Sequence, residues 1–350
     1  MLYIYQYPDW TKFRYKQKVT TSLGRVRMAQ GYLTGIASLA LDKCDAEECS
    51  RRDLAASFEA ESAELSKKAF DTFMGASRNF QKEISEENLL EWHAACVKGG
   101  GHFRTSESAE PGVEPERIAK EISLFLKFFN AAEMDYVLKA AIAHFWFLTI
   151  CPFEKGNKAI DGLLSDIQLS RSENSHNRFY SLFSELLKNP ADYAEKLLKV
   201  QQGDGEITEW LLWFIEKLNA AIECATNHFS PQFSEAAMSL SIEGIALSDR
   251  KMRLLKILRQ DNGFLQNSSV EISSSEWAKL SGISHDSALR DLTDLVEKGI
   301  LKKTKAKGRS TRYRLVGISS QDEKKGIYIQ MNPWRSGISA SPSCFSPNIP

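Results

Sequence analysis

The sequence predicts a mainly α-helical protein with a second, smaller helical domain near the C-terminus. Apolar residues recur at helical spacing through most of the first 230 residues, and one central segment is apolar on nearly every face. From Asp249 onward the composition changes to short, strongly charged helical segments. A chain of 350 residues is long enough for about two or three domains.

Composition indicates a soluble globular chain. Hydrophobic residues make up 43% of it, charged residues make up 26%, and the 45 basic side chains equal the 45 acidic ones. No apolar run approaches the ~20 residues needed to cross a bilayer, and the N-terminus has no signal-peptide core. We therefore expect a cytoplasmic protein without a membrane partner. The six cysteines form no CxxC pair and have no histidines at ligand spacing, which argues against a zinc site or a disulfide framework.

The chain opens with an aromatic segment, and several predicted helices follow. Residues 3–15, YIYQYPDWTKFRY, hold six aromatic rings that cannot all be solvated, so we expect them to pack on the main domain. Helices are then predicted over residues 22–41, 53–70, 86–101 and 116–130. The segment 106–115 is short, polar and broken by two prolines, which leaves no room for a pair of β-strands.

The central segment from Asp135 to Arg171 predicts a helix, a tight loop and a second helix. Its first half is apolar on overlapping faces, Pro152 and Gly156 interrupt it, and apolar spacing resumes after Asn157. A loop between a buried helix and the N-terminus of the next presents unpaired backbone NH groups beside a positive helix end. The sequence therefore predicts an anion-binding loop.

This loop, CPFEKGNKAIDG, resembles the motif HPFxDGNGRxxR of the Fic family, helical domains that transfer AMP from ATP to a protein hydroxyl. The aromatic start is similar to WQxPDWPxFRW, which opens the domain ahead of many bacterial Fic proteins. The resemblance implies that Glu154 takes the place of the acid that holds magnesium. It also implies that Gly156, Asn157 and Lys158 lie at phosphate-binding positions.

Ser57 and Glu61 fit the inhibitory motif of the family, [ST]xxxE[GN], although Ser62 stands where glycine or asparagine is expected. In active relatives this glutamate pairs with the second arginine of the loop. Gly162 stands at that position here, so the resemblance leaves Glu61 without its partner. A solvated helix charge is the alternative interpretation of Glu61.

The catalytic positions depart from the family pattern. Cys151 stands where the family has its histidine base, and a thiol has an unperturbed pKa about two units above that of imidazole. Ala159 and Gly162 stand where two arginines are expected. Loss of a base costs about 10²- to 10⁴-fold in rate, and loss of an electrostatic clamp costs a similar factor. The resemblance therefore implies a degenerate centre, weak or no binding of ATP and Mg²⁺, and a regulatory or binding role.

Two other interpretations remain. One is a divergent nucleotidyl- or phosphotransferase that uses ATP and Mg²⁺ with Glu154, Asn157 and Lys158, and with Cys151 as acceptor or nucleophile; a lysine at the position of Lys158 is similar to the Doc toxins. The other is a protein scaffold, either a homodimer or the inactive partner of an active Fic homologue. The family's β-hairpin flap, which holds the target protein, has no counterpart in residues 106–115, and its loss argues against target modification.

Residues 249–316 predict helix, short helix, turn, helix and hairpin, which resembles a winged helix of the helix-turn-helix class. The predicted core comprises Trp277, Leu280, Ile283, Ala288, Leu289, Leu292 and Leu295. The second helix of the motif would begin near Ser284 and present Ser287 and Arg290 to a DNA major groove. Basic residues of the hairpin would contact phosphates, among them Lys303, Lys305, Arg309 and Arg312. A solubilising hairpin, or a domain that contacts proteins, is the alternative.

The predicted organisation is therefore an N-terminal helical domain over residues 1–85, a Fic-like domain over 86–235, a linker over 236–248 and a winged helix over 249–316. The tail, residues 317–350, is rich in serine and proline and has no helical or strand period. We expect it to be disordered.

Overall fold

The computed structural model describes residues 2–57, 63–131, 133–233, 236, 245, 247–260, 271–304 and 311–316. Glu61, Lys305, Arg309, the tail 317–350 and most of the predicted linker lie outside these residues. The chain divides into two compact units, residues 1–226 and 227–350.

The first unit is mainly helical in the part that the structure describes. Short 3₁₀ helices span Ile4–Gln6 and Pro115–Arg117. The α-helices are α1 Lys18–Ala40, α2 Lys43–Ser57, α3 Ala63–Arg78, α4 Glu86–Cys96, α5 Ile118–Ala131, α6 Tyr136–Ile150, α7 Asn157–Glu173, α8 Leu182–Leu186, α9 Pro190–Gln201 and α10 Thr208–His228. None of the described helices is both long and apolar enough to span a bilayer.

Helix α6 forms the centre of the first unit. Every residue from Val137 to Ile150 is buried, and α7 packs along it. The helix begins where the Asp135 carboxylate accepts hydrogen bonds from the backbone NH groups of Val137 and Leu138. It ends at Cys151, and α7 restarts at Asn157. The predicted helix, loop and helix are therefore confirmed.

The aromatic N-terminal segment packs partly on α6. The rings of Trp10 and Trp146 meet edge to face at 5.8 Å, and those of Phe13 and Phe145 at 4.8 Å. The indole NH of Trp10 donates to Glu121 of α5 over 3.2 Å. Tyr7 and Tyr15 are 45% and 42% exposed, so the predicted docking holds for part of the aromatic segment.

The described part of the second unit has a small core beneath helices and a strand pair. The elements around this core are α11 Asp249–Gln260, α12 Ser274–Ser281, α13 His285–Glu297, β1 Leu301–Lys303 and β2 Tyr313–Leu315. The strands pair antiparallel, with Leu301 opposite Leu315 and Lys303 opposite Tyr313. Gly282 ends α12 in the left-handed region with φ of 67°.

Two leucines predicted to lie in the core of this unit are exposed, so the prediction is wrong for these two residues. Leu280 is 52% exposed and Leu289 is 40% exposed, whereas Trp277 and Leu292 are fully buried. Short helices such as α12 and α13 bury one face only, and the apolar spacing places these two leucines on the other face. The second unit therefore presents apolar side chains to solvent on its two central helices.

Candidate functional site

The loop between α6 and α7 is bent by two residues in the left-handed backbone region. Cys151 ends α6 with φ of 49°, and Gly156 precedes α7 with φ of 79°. A Cβ atom on Gly156 would lie 2.8 Å from Cγ2 of Val97, so both backbone conformation and space require glycine there. This bend brings the side chains of Cys151 and Asn157 together.

The side-chain amide of Asn157 binds the loop itself. Its Oδ1 accepts a hydrogen bond from the backbone NH of Phe153 at 3.0 Å, and its Nδ2 donates to the backbone carbonyl of Phe153 at 2.7 Å. Nδ2 also lies 3.3 Å from the Cys151 sulfur. Asn157 is only 5% exposed. The residue predicted to hold phosphates therefore uses its hydrogen-bonding groups to fix the loop.

The Cys151 thiol is enclosed. It is 1% exposed, and burial raises its pKa above the ordinary thiol value, outweighing the opposing effects of the Ser108 hydroxyl and the Arg104 charge. Ser108 Oγ lies 3.7 Å from Cys151 Sγ. A raised pKa keeps the sulfur protonated at neutral pH, so it is neither an efficient base nor a ready nucleophile.

His93 supports the loop from α4 and was missed by the sequence analysis. Its ring stacks on Phe153 at 3.9 Å, its Nδ1 accepts from the NH of Gly101 at 3.0 Å, and its Nε2 lies 3.1 Å from the Lys155 carbonyl. Because Nδ1 accepts, Nε2 carries the proton and donates. Burial lowers the pKa of His93, which favours this neutral form. The contact depends on how α4 packs against the loop, which the sequence alone does not give.

The loop and the first turn of α7 carry three exposed charges, Glu154, Lys155 and Lys158. The side chains of Glu154 and Lys158 are exposed, and neither forms a salt bridge with a described residue. No side chain caps the first turn of α7, so its leading backbone NH groups keep the positive end of the helix open. These are the features of the loop that suit an anion.

The family of this loop follows from comparison with known proteins. The sequence model of the Fic/DOC family matches residues 83–169, which include α4, α5, α6, the loop and most of α7. Residues 83–169 form a Fic/DOC family domain.

Solved Fic structures resemble this chain in fold. A Fic family protein from Desulfovibrio desulfuricans G20 aligns over 87% of this chain and 98% of its own, with a TM-score of 0.52 and 16% identity. Fic-1 from C. elegans aligns over 65% of this chain and 74% of its own, with a TM-score of 0.42 and 16% identity. The first similarity shows the fold alone, and the second is too low to support an argument. No curated protein sequence matches the chain.

Helix α2 contacts the Fic domain near Gly162. A Cβ atom added to Gly162 would lie 3.4 Å from Ser57 Oγ, which places the end of α2 beside this position of α7. The Ser57 hydroxyl donates to the carbonyl of Leu54 at 3.1 Å. Glu61, the second residue of the predicted inhibitory pair, lies outside the described residues.

Arg178 fastens α2 to the Fic domain and was not predicted as a site residue. Its guanidinium pairs with Asp53 of α2 at 3.3 Å and, at shorter range, with Asp166 of α7. Asp53 also accepts from the backbone NH of Phe183 at 2.7 Å, so it caps α8 from a neighbouring helix. Arg178 lines the same cavity as Gly162, and its charge is therefore held by two carboxylates.

The predicted DNA contacts of the second unit lie in different environments. Arg290 is exposed on α13, and Lys303 is exposed on β1. The Ser287 hydroxyl accepts from that of Ser284 at 3.0 Å within the helix cap. Arg312 pairs with the Glu276 carboxylate at 2.9 Å, so its charge is balanced by an acid from α12. Among the described residues predicted to bind DNA, Arg290 and Lys303 thus keep their side chains free of salt bridges.

Proposed function

We propose that the Fic domain of this chain transfers little or no AMP and that the protein acts by binding, as a regulator that contacts DNA or protein. The observation that supports this proposal is the enclosed Cys151 thiol at the position of the family's histidine. A base must accept a proton near neutral pH, and burial raises the pKa of this thiol further from that range. The same burial argues against the alternative in which Cys151 is a nucleophile or acceptor.

The loop residues fit ATP and Mg²⁺ poorly. The Asn157 amide already binds the Phe153 backbone, Ala159 is buried, and position 162 is glycine. The guanidinium groups that the family places at 159 and 162 are therefore missing. In this alignment, with the family's arginines at 159 and 162, the magnesium-holding acid falls on Lys155, and Glu154 stands one residue earlier, at the variable position of the motif. The expectation that Glu154 holds magnesium therefore lacks support from the motif, whereas Lys158 could still offer a charge to a phosphate. We expect weak or no binding and derive no catalytic step through the nucleotide.

An inhibitory role of Ser57 and Glu61 is not supported, because the arginine with which the glutamate would pair is missing. Inhibition in the family depends on a carboxylate paired with the arginine that Gly162 replaces. The neighbouring Arg178 already binds Asp53 and Asp166. We propose that α2 is retained here as a packed structural helix.

The second unit supports a DNA-binding role. We propose that α12, α13 and the β1–β2 pair act as a winged helix, with α13 in the major groove and basic residues of the hairpin on phosphates. Exposed Arg290 and Lys303 support this proposal. Lys305 and Arg309 add to the basic hairpin in sequence. A cytoplasmic location, a homodimer and an active Fic homologue as partner remain predictions.

Labelling tests the transferase part. The full chain is incubated with Mg²⁺ and ATP labelled in the α- or γ-phosphate, beside an intact Fic protein that keeps the histidine. We expect no incorporation from either label. Label that enters the wild-type protein or a substrate and is lost in Cys151→Ala and Asn157→Ala, but kept in Cys96→Ala, would establish the divergent transferase instead. Cys96 is the control because it is another buried free thiol.

Fluorescence anisotropy with random-sequence duplexes tests the binding part. We expect binding at low salt that weakens as salt rises, because contacts to phosphates release counterions. Absence of binding at the lowest salt would refute the DNA role. Pulldown of a protein without DNA binding would favour the scaffold interpretation.

A further inference from the structure

A short segment crosses beside Cys151 and is tied to the loop at both ends. We call residues 105–112 the strap. Just before it, the backbone NH of Arg104 donates to the carbonyl of Pro152 at 3.0 Å; just after it, the NH of Val113 donates to the carbonyl of Ile150 at 3.3 Å. Since Ile150 and Pro152 flank Cys151, the strap is tied to the chain on both sides of the thiol.

The Arg104 side chain closes the strap. It is 5% exposed, and its guanidinium donates to three backbone carbonyls. Nε donates to Cys151 at 2.7 Å, Nη1 to Ser106 at 2.9 Å, and Nη2 to Val113. One buried charge therefore joins the loop to the two ends of the strap, and hydrogen bonds from a charged donor are the stronger kind.

The strap lies directly against Cys151. A Cβ atom on Gly112 would lie 2.8 Å from the Cys151 Cβ and 2.9 Å from Arg104 Nη2, so only glycine allows this approach. Residues 105–107 and 109–111 are exposed, whereas Ser108 is half-buried with its hydroxyl 3.7 Å from the thiol. Ser108 is therefore the strap residue whose side chain meets the sulfur.

We propose that the strap closes the Cys151 side of the loop. Ser108 covers the thiol, and Arg104 acts as a latch, in the sense that its hydrogen bonds hold the strap in place. No outside group reaches Cys151 until the latch releases. The proposal deepens the proposed function by giving a steric reason, besides the lost base, why the loop does not meet a target protein. The closure itself depends neither on ATP nor on DNA.

Alkylation of the native full chain tests the closure. N-ethylmaleimide is added, and the modified fraction of each cysteine is followed in time by mass spectrometry of peptides. Exposed Cys44 gives the rate of an open thiol, and buried Cys96 gives the rate of a thiol closed by the fold. In the wild type we expect Cys151 to react as slowly as Cys96. Reaction of wild-type Cys151 at the rate of Cys44 would overturn the proposal.

Two variants open the strap in independent ways. Arg104→Ala removes the latch, and Gly112→Val forces the strap away from Cys151. Each is expected to raise the alkylation rate of Cys151 by roughly tenfold to a hundredfold, the effect of losing charge-assisted hydrogen bonds, while Cys96 stays slow. Arg78→Ala is the control, because this arginine is half-exposed on α3 and, among the described residues, pairs only with Glu47, at 3.9 Å.

Two results would refute the proposal that the strap controls access to Cys151. In one, Cys151 stays as protected as Cys96 in both variants, and the strap then does not control access. In the other, Cys96 accelerates in step with Cys151 in both variants, and the whole fold then protects the thiol. Neither result concerns labelling by ATP or binding of DNA, so failure of the strap is separate from failure of the proposed function.

Discussion

The Nδ1 atom of His144 lies 2.7 Å from a carboxylate oxygen of Asp161, and both side chains are fully buried. The pair joins α6 to α7 in the centre of the Fic domain. The other ring nitrogen of His144, Nε2, lies 3.0 Å from the hydroxyl of Tyr193, and the ring stacks on Trp210 at 5.6 Å. The apolar centre of this domain therefore encloses a polar network.

The first prediction concerns pH. Burial raises the pKa of Asp161 from 3.8 to about 6, despite the opposing effect of His144. As pH rises from about 4 to about 6, the unfolded chain releases this proton while the folded chain retains it, so folding becomes less favourable. Asp161→Asn removes the titration. We expect the unfolding free energy of the wild type, minus that of Asp161→Asn, to fall by up to about 3 kcal/mol across this range.

Urea unfolding at a series of pH values measures this difference. Asp71→Asn is the control, because Asp71 is exposed on α3 and its variant should follow the wild type. A difference between the wild type and Asp161→Asn that stays constant, or that rises with pH, would contradict the prediction.

The sequence predicts the two helices that carry this network but not the contact between them. The apolar run of α6 and the spacing of α7 predict two buried helices, and both form. Periodicity identifies the buried face of each helix but gives no rotation or offset between two helices. The contact of His144 with Asp161 depends on that offset. Polar residues in an apolar run therefore indicate a buried partner without identifying it.

The second prediction concerns Asn157. Replacement by alanine leaves the buried NH and carbonyl of Phe153 without their partners, and each unpaired group costs about 1–3 kcal/mol. We expect Asn157→Ala to lower the unfolding free energy by about 2–4 kcal/mol in urea titration. Asn79→Ala is the matched control: its exposed amide donates to Gly75, and we expect a loss below about 0.5 kcal/mol. Equal losses in the two variants would show that Asn157 does not fix the loop.

Part of the candidate site could be predicted from the sequence, and the rest depends on how distant elements pack together. The motif located Cys151, Asn157 and Gly156 because they are close in sequence. His93 and Arg104 reach the loop from α4 and from the chain that follows it, over 62 and 47 residues. His93 belongs to no short motif, so only tertiary structure reveals its contact. Arg104 lies in a short stretch, Phe103 to Thr105, that resembles the start of the family's WRTG, but that resemblance did not predict its contact with the loop. The polar segment 106–115 was correctly expected to lack paired strands, and its contact with the thiol could not be read from composition.

The third prediction concerns Asp291 in the second unit. Its carboxylate accepts two hydrogen bonds from Arg250, at 2.6 and 2.7 Å, and one from the indole NH of buried Trp277 at 3.2 Å. Burial alone would raise the pKa of Asp291, but these bonds hold it below its ordinary value. Asp291→Ala leaves the indole NH unpaired, and we expect it to destabilise the unit by about 2–3 kcal/mol.

Hydrogen exchange of the amides in α12 and α13, on the full chain, measures that loss. Asp291→Asn keeps an acceptor for Trp277 and should lose less protection than Asp291→Ala. If the alanine variant exchanges like the wild type, the buried bonds of Asp291 do not stabilise this unit. The result also bears on DNA binding, because Asp291 faces Arg250 and Trp277 inside the unit and so adds no exposed charge to α13.

The fourth prediction separates two kinds of DNA contact. Arg290 is the one arginine of α13 and is exposed, on the same side of the helix as Asp286, one turn earlier. A major-groove arginine reads guanine through two hydrogen bonds, worth about 1–3 kcal/mol against the wrong base. Arg290→Ala should therefore remove preference at one base pair of a site selected from random duplexes. Lys303→Ala should weaken all duplexes alike and lower the salt slope by about 1.

Each variant is the control for the other. Affinities are measured for the selected duplex, for its single-base variants and for an unrelated duplex, at several salt concentrations. If Arg290→Ala weakens all of these duplexes equally, Arg290 contacts phosphate and α13 does not read the bases. If Lys303→Ala changes the base preference, β1 rather than α13 enters the groove. A phosphate contact acts on every sequence because all duplexes carry the same backbone charge, whereas a base contact acts at one position.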